Sequence, residues 1–164
     1  MTVTVSILIG SESDLDLANK CSETLDSLSI TNSIQVLSAH RTPGLLETHI
    51  RECESGGTKV IIAMAGLAAH LAGAVASKTV LPVIGVPGDG GPLSGMDALL
   101  STVQMPKGIP VATVAIGSAG AINSAYLAAQ MLGIESEETR SALLKVREDG
   151  VEAITESNKK LADS

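Results

Sequence analysis

The sequence predicts an α/β fold: a three-layer α/β/α sandwich around a parallel, five-stranded, flavodoxin-like sheet, with a C-terminal helical extension. Three observations carry this expectation. Short runs rich in Val, Ile and Ala alternate with stretches of helical periodicity, the order that a parallel sheet with crossover helices requires. Those runs are apolar almost throughout rather than at every second position, as strands covered on both faces are. The chain has 164 residues, 45% of them hydrophobic and 18% charged, which bounds a single globular domain with a buried core.

The strand runs fall at 3–9, 34–37, 59–64, 82–86 and 111–116, and the helical stretches at 14–28, 43–55, 69–79, 96–102 and 119–132. Asp14 and Asp16 lie in the first turn of the first helix, where carboxylates complement the helix dipole. Pro43 suits the first position of the second helix, its missing N–H being one that has no intrahelical partner anyway. Short connections and right-handed crossovers favour the flavodoxin-like strand order. From Glu135 the composition turns polar. Leu143, Leu144, Val146, Val151 and Ile154 are spaced mostly for one helical face, with Gly150 expected to kink or break the helix. Residues 1–134 thus form the sandwich, and 135–164 an extension of the same domain that packs on it or on a neighbouring subunit. With no Phe or Trp and only Tyr126, the core must be built from Val, Ile, Leu, Ala and Met. Small helices with apolar faces point towards oligomerisation, and the scarcity of aromatic rings weakens a flavin-binding reading.

Several function classes are disfavoured. The net charge is −7 and there is no basic patch, which argues against nucleic-acid binding. No uncharged apolar run approaches the roughly 18 residues needed to span a bilayer. The start lacks a charged segment, apolar segment and cleavage pattern, so a cytoplasmic location is expected. Cys21 and Cys53 have no ligand-like spacing and read as reduced packing residues. No Cys/His/Asp/Glu cluster has metal-ligand spacing.

Chemistry-bearing residues concentrate at strand exits, where α/β proteins bind their ligands. Ser38-Ala39-His40-Arg41-Thr42-Pro43 follows the second strand. An imidazole there can move a proton near neutral pH, and a guanidinium can grip an anion with two bonds. The alternative is a solvated turn that starts the next helix. Gly10-Ser11-Glu12-Ser13-Asp14 follows the first strand; its glycine, N–H groups and hydroxyls form a phosphate cradle at a helix N-terminus, or else an ordinary N-cap. Asp14 serves either the helix dipole or sugar hydroxyls. After the third strand, 65–73 is built of small residues that let a flat ligand approach the backbone, with His70 either catalytic or bonded to a neighbouring loop. His49 reads as a solvated face residue. The Gly/Pro stretch 87–95 has the make-up of a loop that can move over a site. The stiff segment 101–110, with Met105, Pro106 and Lys107, sits at the wrong end of its strand for the same crevice and suits a neighbouring subunit's site.

Taken in order, the segments 10–14, 38–43, 65–73, 93–97 and 104–110 resemble the PurE family of purine biosynthesis, over nearly the whole chain up to Leu132. Ala68-Ala69-His70-Leu71 resembles the mutase branch; the branch that carboxylates aminoimidazole ribonucleotide directly usually carries Arg-Ser-Asn there. Two departures stand out: Ala72 replaces the usual proline after His-Leu, and 88–92 is unusually glycine-rich. The resemblance implies a mutase acting on N5-carboxyaminoimidazole ribonucleotide. Ser11, Ser13 and Arg41 would hold the ribose phosphate, Asp14 the ribose hydroxyls, and His40 would act as general acid and base. Ser38 belongs to the same binding segment, and Gly66, Ala69, His70 and Leu71 would line a carbon dioxide pocket. It also implies no metal or organic cofactor and a homo-octamer with sites shared between subunits. The competing expectations are direct carboxylation, a related carboxylase acting on a pyridinium mononucleotide, and a non-catalytic module that binds a phosphorylated ligand.

Overall fold

The computed structural model describes residues 3–162. Five strands, β1 (Val5–Ile9), β2 (Asn32–Val36), β3 (Val60–Ala65), β4 (Val83–Pro87) and β5 (Ala112–Thr113), form one sheet in the order β2-β1-β3-β4-β5. Every pairing is parallel. The helices are α1 (Leu15–Ser27), α2 (Pro43–Gly56), α3 (Leu71–Ala76), α4 (Met96–Val103), α5 (Gly117–Leu132) and α6 (Glu137–Ala162). A single 3-10 turn at Glu12–Asp14 leads into α1. The expected sandwich and its flavodoxin-like order are both present.

The continuous apolar strands feed two cores, because successive side chains leave the sheet on opposite faces. Val5, Ile7, Ile9, Val60, Ile62 and Met64 pack beneath α1 and α5 with Cys21, Leu25 and the alanines of α5. Leu8, Ile61 and Ala63 pack on the other face with Leu46, Ile50 and Cys53 of α2 and Leu71 and Val75 of α3. Alanine at 121, 125, 128 and 129 brings α5 close to the sheet without bulky rings. Both cysteines are free and buried, as expected.

Three local expectations are corrected. The fifth strand is a two-residue edge strand rather than 111–116. Val114 still donates to the Gly85 carbonyl, 3.1 Å away, but the chain then turns through Gly117 at φ 70° to begin α5. Gly150 neither kinks nor breaks α6, which runs unbroken for 26 residues. A glycine there costs about 1 kcal/mol of helix propensity, and open space surrounds it, so no packed neighbour forces a bend. Glu137 and Glu138 in the first turn and Lys159 and Lys160 in the last favour the dipole along its length. Finally, His49 is not a solvated face residue. It is half-buried, and its Nε2 lies 2.9 Å from the Oγ of Ser6, a fully buried hydroxyl on β1.

Close packing is sharpest at Gly85 on β4, where a Cβ would collide with Thr102 and come within 2.8 Å of Val111 Cγ1. Gly85→Ala should therefore lower the unfolding free energy by about 1–3 kcal/mol, seen as a reduced midpoint in urea titration. An unchanged midpoint would mean that α4 does not press on β4 as described.

Candidate active site

The parallel order brings the carboxyl ends of β1, β2, β3 and β4 to one edge of the sheet, where they surround a cavity of about 850 Å³. Four strand exits supply its walls, and among the residues expected from sequence Ser11, Ser13, Asp14, Ser38, His40, Arg41, Gly66, His70 and Leu71 all line it. Ala69 does not. Its side chain is buried, and its N–H donates to Ser101 Oγ at 3.0 Å, tying the β3 exit to α4.

One end of the cavity gathers the serines and the arginine expected to cradle an anion. The part-buried Ser11 and the exposed Ser13 lie at the short turn that opens α1, with the Ser13 N–H 3.4 Å from Ser11 Oγ. Arg41 leans across from the β2 exit: its Nη2 donates to the Gly10 carbonyl at 2.7 Å, and its Nε lies 3.3 Å from Ser38 Oγ. Ser38 Oγ also accepts from the Arg41 N–H at 3.2 Å, and the Thr42 N–H closes the turn on the Ser38 carbonyl at 2.9 Å. The guanidinium is thus held in place while staying exposed, ready to exchange a backbone partner for a ligand anion. Asp14 lines the same cavity, half-buried. Loss of water pushes its carboxyl above the ordinary range, against the opposing effect of a backbone hydrogen bond from Ser11.

A pair of imidazoles forms another part of the wall. His40 Nε2 and His70 Nδ1 are 2.7 Å apart, with ring centroids at 4.9 Å and planes at 81°. Two ring nitrogens this close require a proton between them, so one ring donates and the other accepts. His70 caps α3 without using its side chain on the helix, which leaves the ring to meet His40 across 30 residues of sequence. The sequence left His70 open between catalysis and a loop contact; the contact is made, and it is made to His40.

The loops around the pair are tightly built. A Cβ on Gly88 would sit 3.1 Å from the Gly66 Cα, so the β3 and β4 exits touch backbone to backbone. Leu67 between them has φ 56°, a conformation that is strained for a bulky side chain. It is also 54% exposed over the opening. Sequence reasoning missed Asp16, Lys20, Asp89 and Ser118, which also line the cavity. Lys20 Nζ reaches Ser118 Oγ at 2.6 Å, and the Asp89 carboxylate lies against Gly117 at the start of α5. Asp16 and Lys20 follow the cradle at helical spacing, a signal that was present; nothing local marks Ser118, 98 residues further on. The 104–110 segment stays outside the cavity, with the Met105 sulfur close to Gly73 on α3. Among the described residues no group of three or more His, Cys, Asp or Glu side chains is arranged to hold a metal ion, and no helix is long and apolar enough to cross a membrane.

Comparison with known proteins decides the kinship. A family model described as AIR carboxylase matches residues 4–153. The chain belongs to the AIR carboxylase family. Curated relatives of this AIR carboxylase family chain include the N5-carboxyaminoimidazole ribonucleotide mutase of Pseudomonas aeruginosa, 47% identical over 157 residues and covering 96% of both chains. The mutase of the same name from Bacillus subtilis is 46% identical over 157 residues, covering 96% of this chain and 97% of its own. A crystal structure of Treponema denticola PurE superposes with a TM-score of 0.88 at 30% identity, covering 96% of this chain and 97% of that one. The resemblance seen in the sequence motifs is therefore a true family membership.

The raised Asp14 gives a stability test with a definite sign. A carboxyl raised by folding favours the fold while protonated and loses that contribution as pH rises through its folded value. Asp14→Asn removes the loss and forfeits no side-chain cap of α1, since Asp14 makes none. It should melt at a higher temperature than the parent at neutral pH, with the difference shrinking in acid below the ordinary carboxylate range. A lower melting temperature at neutral pH would contradict this environment for Asp14.

Proposed function

We propose that this chain is an N5-carboxyaminoimidazole ribonucleotide mutase, moving a carboxylate from the exocyclic nitrogen to C4 of the imidazole ring. The observation that carries the reading is the His40–His70 pair set beside an arginine–serine cradle in one cavity. Relatives of that name at 46–47% identity support it.

Ser11, Ser13 and Arg41 bind the ribose phosphate, helped by the turn that opens α1, where N–H groups favour an anion. Ser38 holds the Arg41 side chain at the distance described, and Asp14 accepts from the ribose hydroxyls. The imidazole ring of the substrate lies against the small residues of the β3 exit. The N–C bond of the substrate breaks, carbon dioxide departs, and His40 delivers a proton to the leaving nitrogen. C4 then attacks the held carbon dioxide, and His40 takes up the proton that C4 releases. One imidazole can serve both steps because it holds both a donor and an acceptor nitrogen. His70, bonded to His40, receives or returns that proton and keeps the His40 ring oriented. Gly66, His70 and Leu71 border the carbon dioxide, while Ala69 acts from behind by anchoring the loop to Ser101. Excluding water here keeps the intermediate from being lost as bicarbonate.

The functional unit is a homo-octamer working in the cytoplasm without a cofactor. Exposed Met96, Leu100 and Val103 along α4, and Val151, Ile154 and Leu161 on the distal half of α6, support burial against further copies. The family description as AIR carboxylase favours a second reading, direct carboxylation of aminoimidazole ribonucleotide.

Assay with the N-carboxylated ribonucleotide should give rapid isomerisation, whereas aminoimidazole ribonucleotide with low bicarbonate should give almost none. Rapid turnover of the second mixture would reject the mutase in favour of the carboxylase. His40→Asn should lose roughly 10²–10⁴-fold in kcat, the usual worth of a general acid–base group, while still binding nucleotide. Full activity in that variant would reject His40 as the proton carrier. Arg41→Ala should weaken nucleotide binding about 10- to 100-fold by calorimetry, the worth of hydrogen bonds from a charged group; an unchanged dissociation constant would reject the phosphate role.

A further inference from the structure

A second cluster of reactive side chains lies near the amino ends of the strands, away from the crevice. His49, Glu52 and Cys53 occupy one turn of α2, at the i, i+3 and i+4 positions that bring side chains together. His49 Nε2 is 3.3 Å from Cys53 Sγ and 2.9 Å from Ser6 Oγ, and His49 Nδ1 is 3.9 Å from Glu52 Oε2. Imidazole and thiol are therefore in contact, the pairing that turns a cysteine into a nucleophile, while the exposed Glu52 carboxylate lies too far off to bond the ring. They border a cavity of about 500 Å³, completed by Ser33 of β2, by Thr58, and by Val3 and Gly56. Ser6 is fully buried on a sheet face otherwise packed by Leu8, Ile61 and Ala63, and its hydroxyl is spent on His49 rather than on packing.

We propose that Cys53 is a modification site: a thiol activated by His49 and reached through this cavity, which small peroxides oxidise to the sulfenic acid. In the reactive state the thiol proton rests on His49 Nε2. The sulfur attacks one peroxide oxygen, forming an S–O bond as the O–O bond breaks. Sulfur loses two electrons to the peroxide, and the departing hydroxide takes the proton from His49 and leaves as water. The environment of Cys53 agrees with this: burial alone would push its thiol up, but hydrogen bonds from His49 and Ser6 outweigh it and bring it below the ordinary value. His49 is raised in turn, first by its bond to Cys53 and against its own burial. Cys21 is the internal contrast. It is fully buried, its only described partner is Ser124 Oγ at 3.5 Å, and burial pushes its thiol up to about 11. Cys53 lines this cavity and keeps 6% of its surface exposed, whereas Cys21 keeps none.

The test treats the full chain with dilute hydrogen peroxide, traps sulfenic acid with dimedone, and follows the Cys21 and Cys53 peptides by mass spectrometry. Cys53 should react at least about tenfold faster than Cys21 in the folded protein, and the two should converge in denaturing urea. His49→Gln, shown folded by circular dichroism, should slow Cys53 about tenfold. Glu52→Gln, on the exposed side of α2, should slow it by no more than about twofold, since an exposed charge is screened. Equal rates for the two cysteines in the folded parent would overturn the proposal, as would a Cys53 rate untouched in folded His49→Gln.

Discussion

With β1 hydrogen-bonded in parallel register to both β2 and β3, the three strands must end on the same edge of the sheet, and everything functional in this molecule follows from that. Ile9 of β1 sits opposite Val36 of β2 and Met64 of β3, so the chain segments that leave these strands emerge side by side. Gly10, Ser38 and Gly66 are far apart in sequence and become neighbours only through this pairing. The hydrophobic effect enforces the register: slipping one strand by a single residue would turn Ile7 and Ile62 out of one core and Leu8 and Ile61 out of the other. Two apolar cores thus set the position of a polar site, which they meet at Leu17 and Leu71.

Within that edge, the proposed chemistry divides along a line from charge to proton transfer. Arg41 is fixed by three bonds of its own segment and of Gly10, so little ordering remains to be done when an anion arrives. The imidazole pair has the opposite character. A shared proton between two rings can be moved at small cost, and the touching backbones at Gly66 and Gly88 with the strained Leu67 shape the wall beside it. The half-buried Asp14 carboxyl shows the trade between the two demands: a group poorly placed for stability sits where a sugar hydroxyl would be recognised.

Much of this was legible in the sequence because it is local. Apolar runs mark β1 to β4 to within a few residues, and each cluster of glycine, hydroxyls or small residues at a strand exit does reach the cavity. Ala69 is the exception, since one residue of loop rotation decides whether a side chain faces ligand or core. The remaining features depend on long-range partners. The His40–His70 contact spans two strand exits, and Lys20–Ser118 joins α1 to α5; neither can be read before the strand order is known. His49 followed a polar helical face, yet a single buried hydroxyl on β1 drew it inward. Gly150 carries a strong local signal for a break, but a helix half in open solvent has no neighbour to enforce one. The edge strand β5 ends early because the chain turns at Gly117 to begin α5.

The central proposal is that a single site at this sheet edge releases the carboxylate and recaptures it before it escapes. Substrate carrying ¹³C only in its N-carboxylate, turned over in excess unlabelled bicarbonate and read by NMR, tests this directly. The label should appear at the C4 carboxylate largely undiluted. Product whose carboxylate matches the unlabelled bicarbonate pool would contradict it.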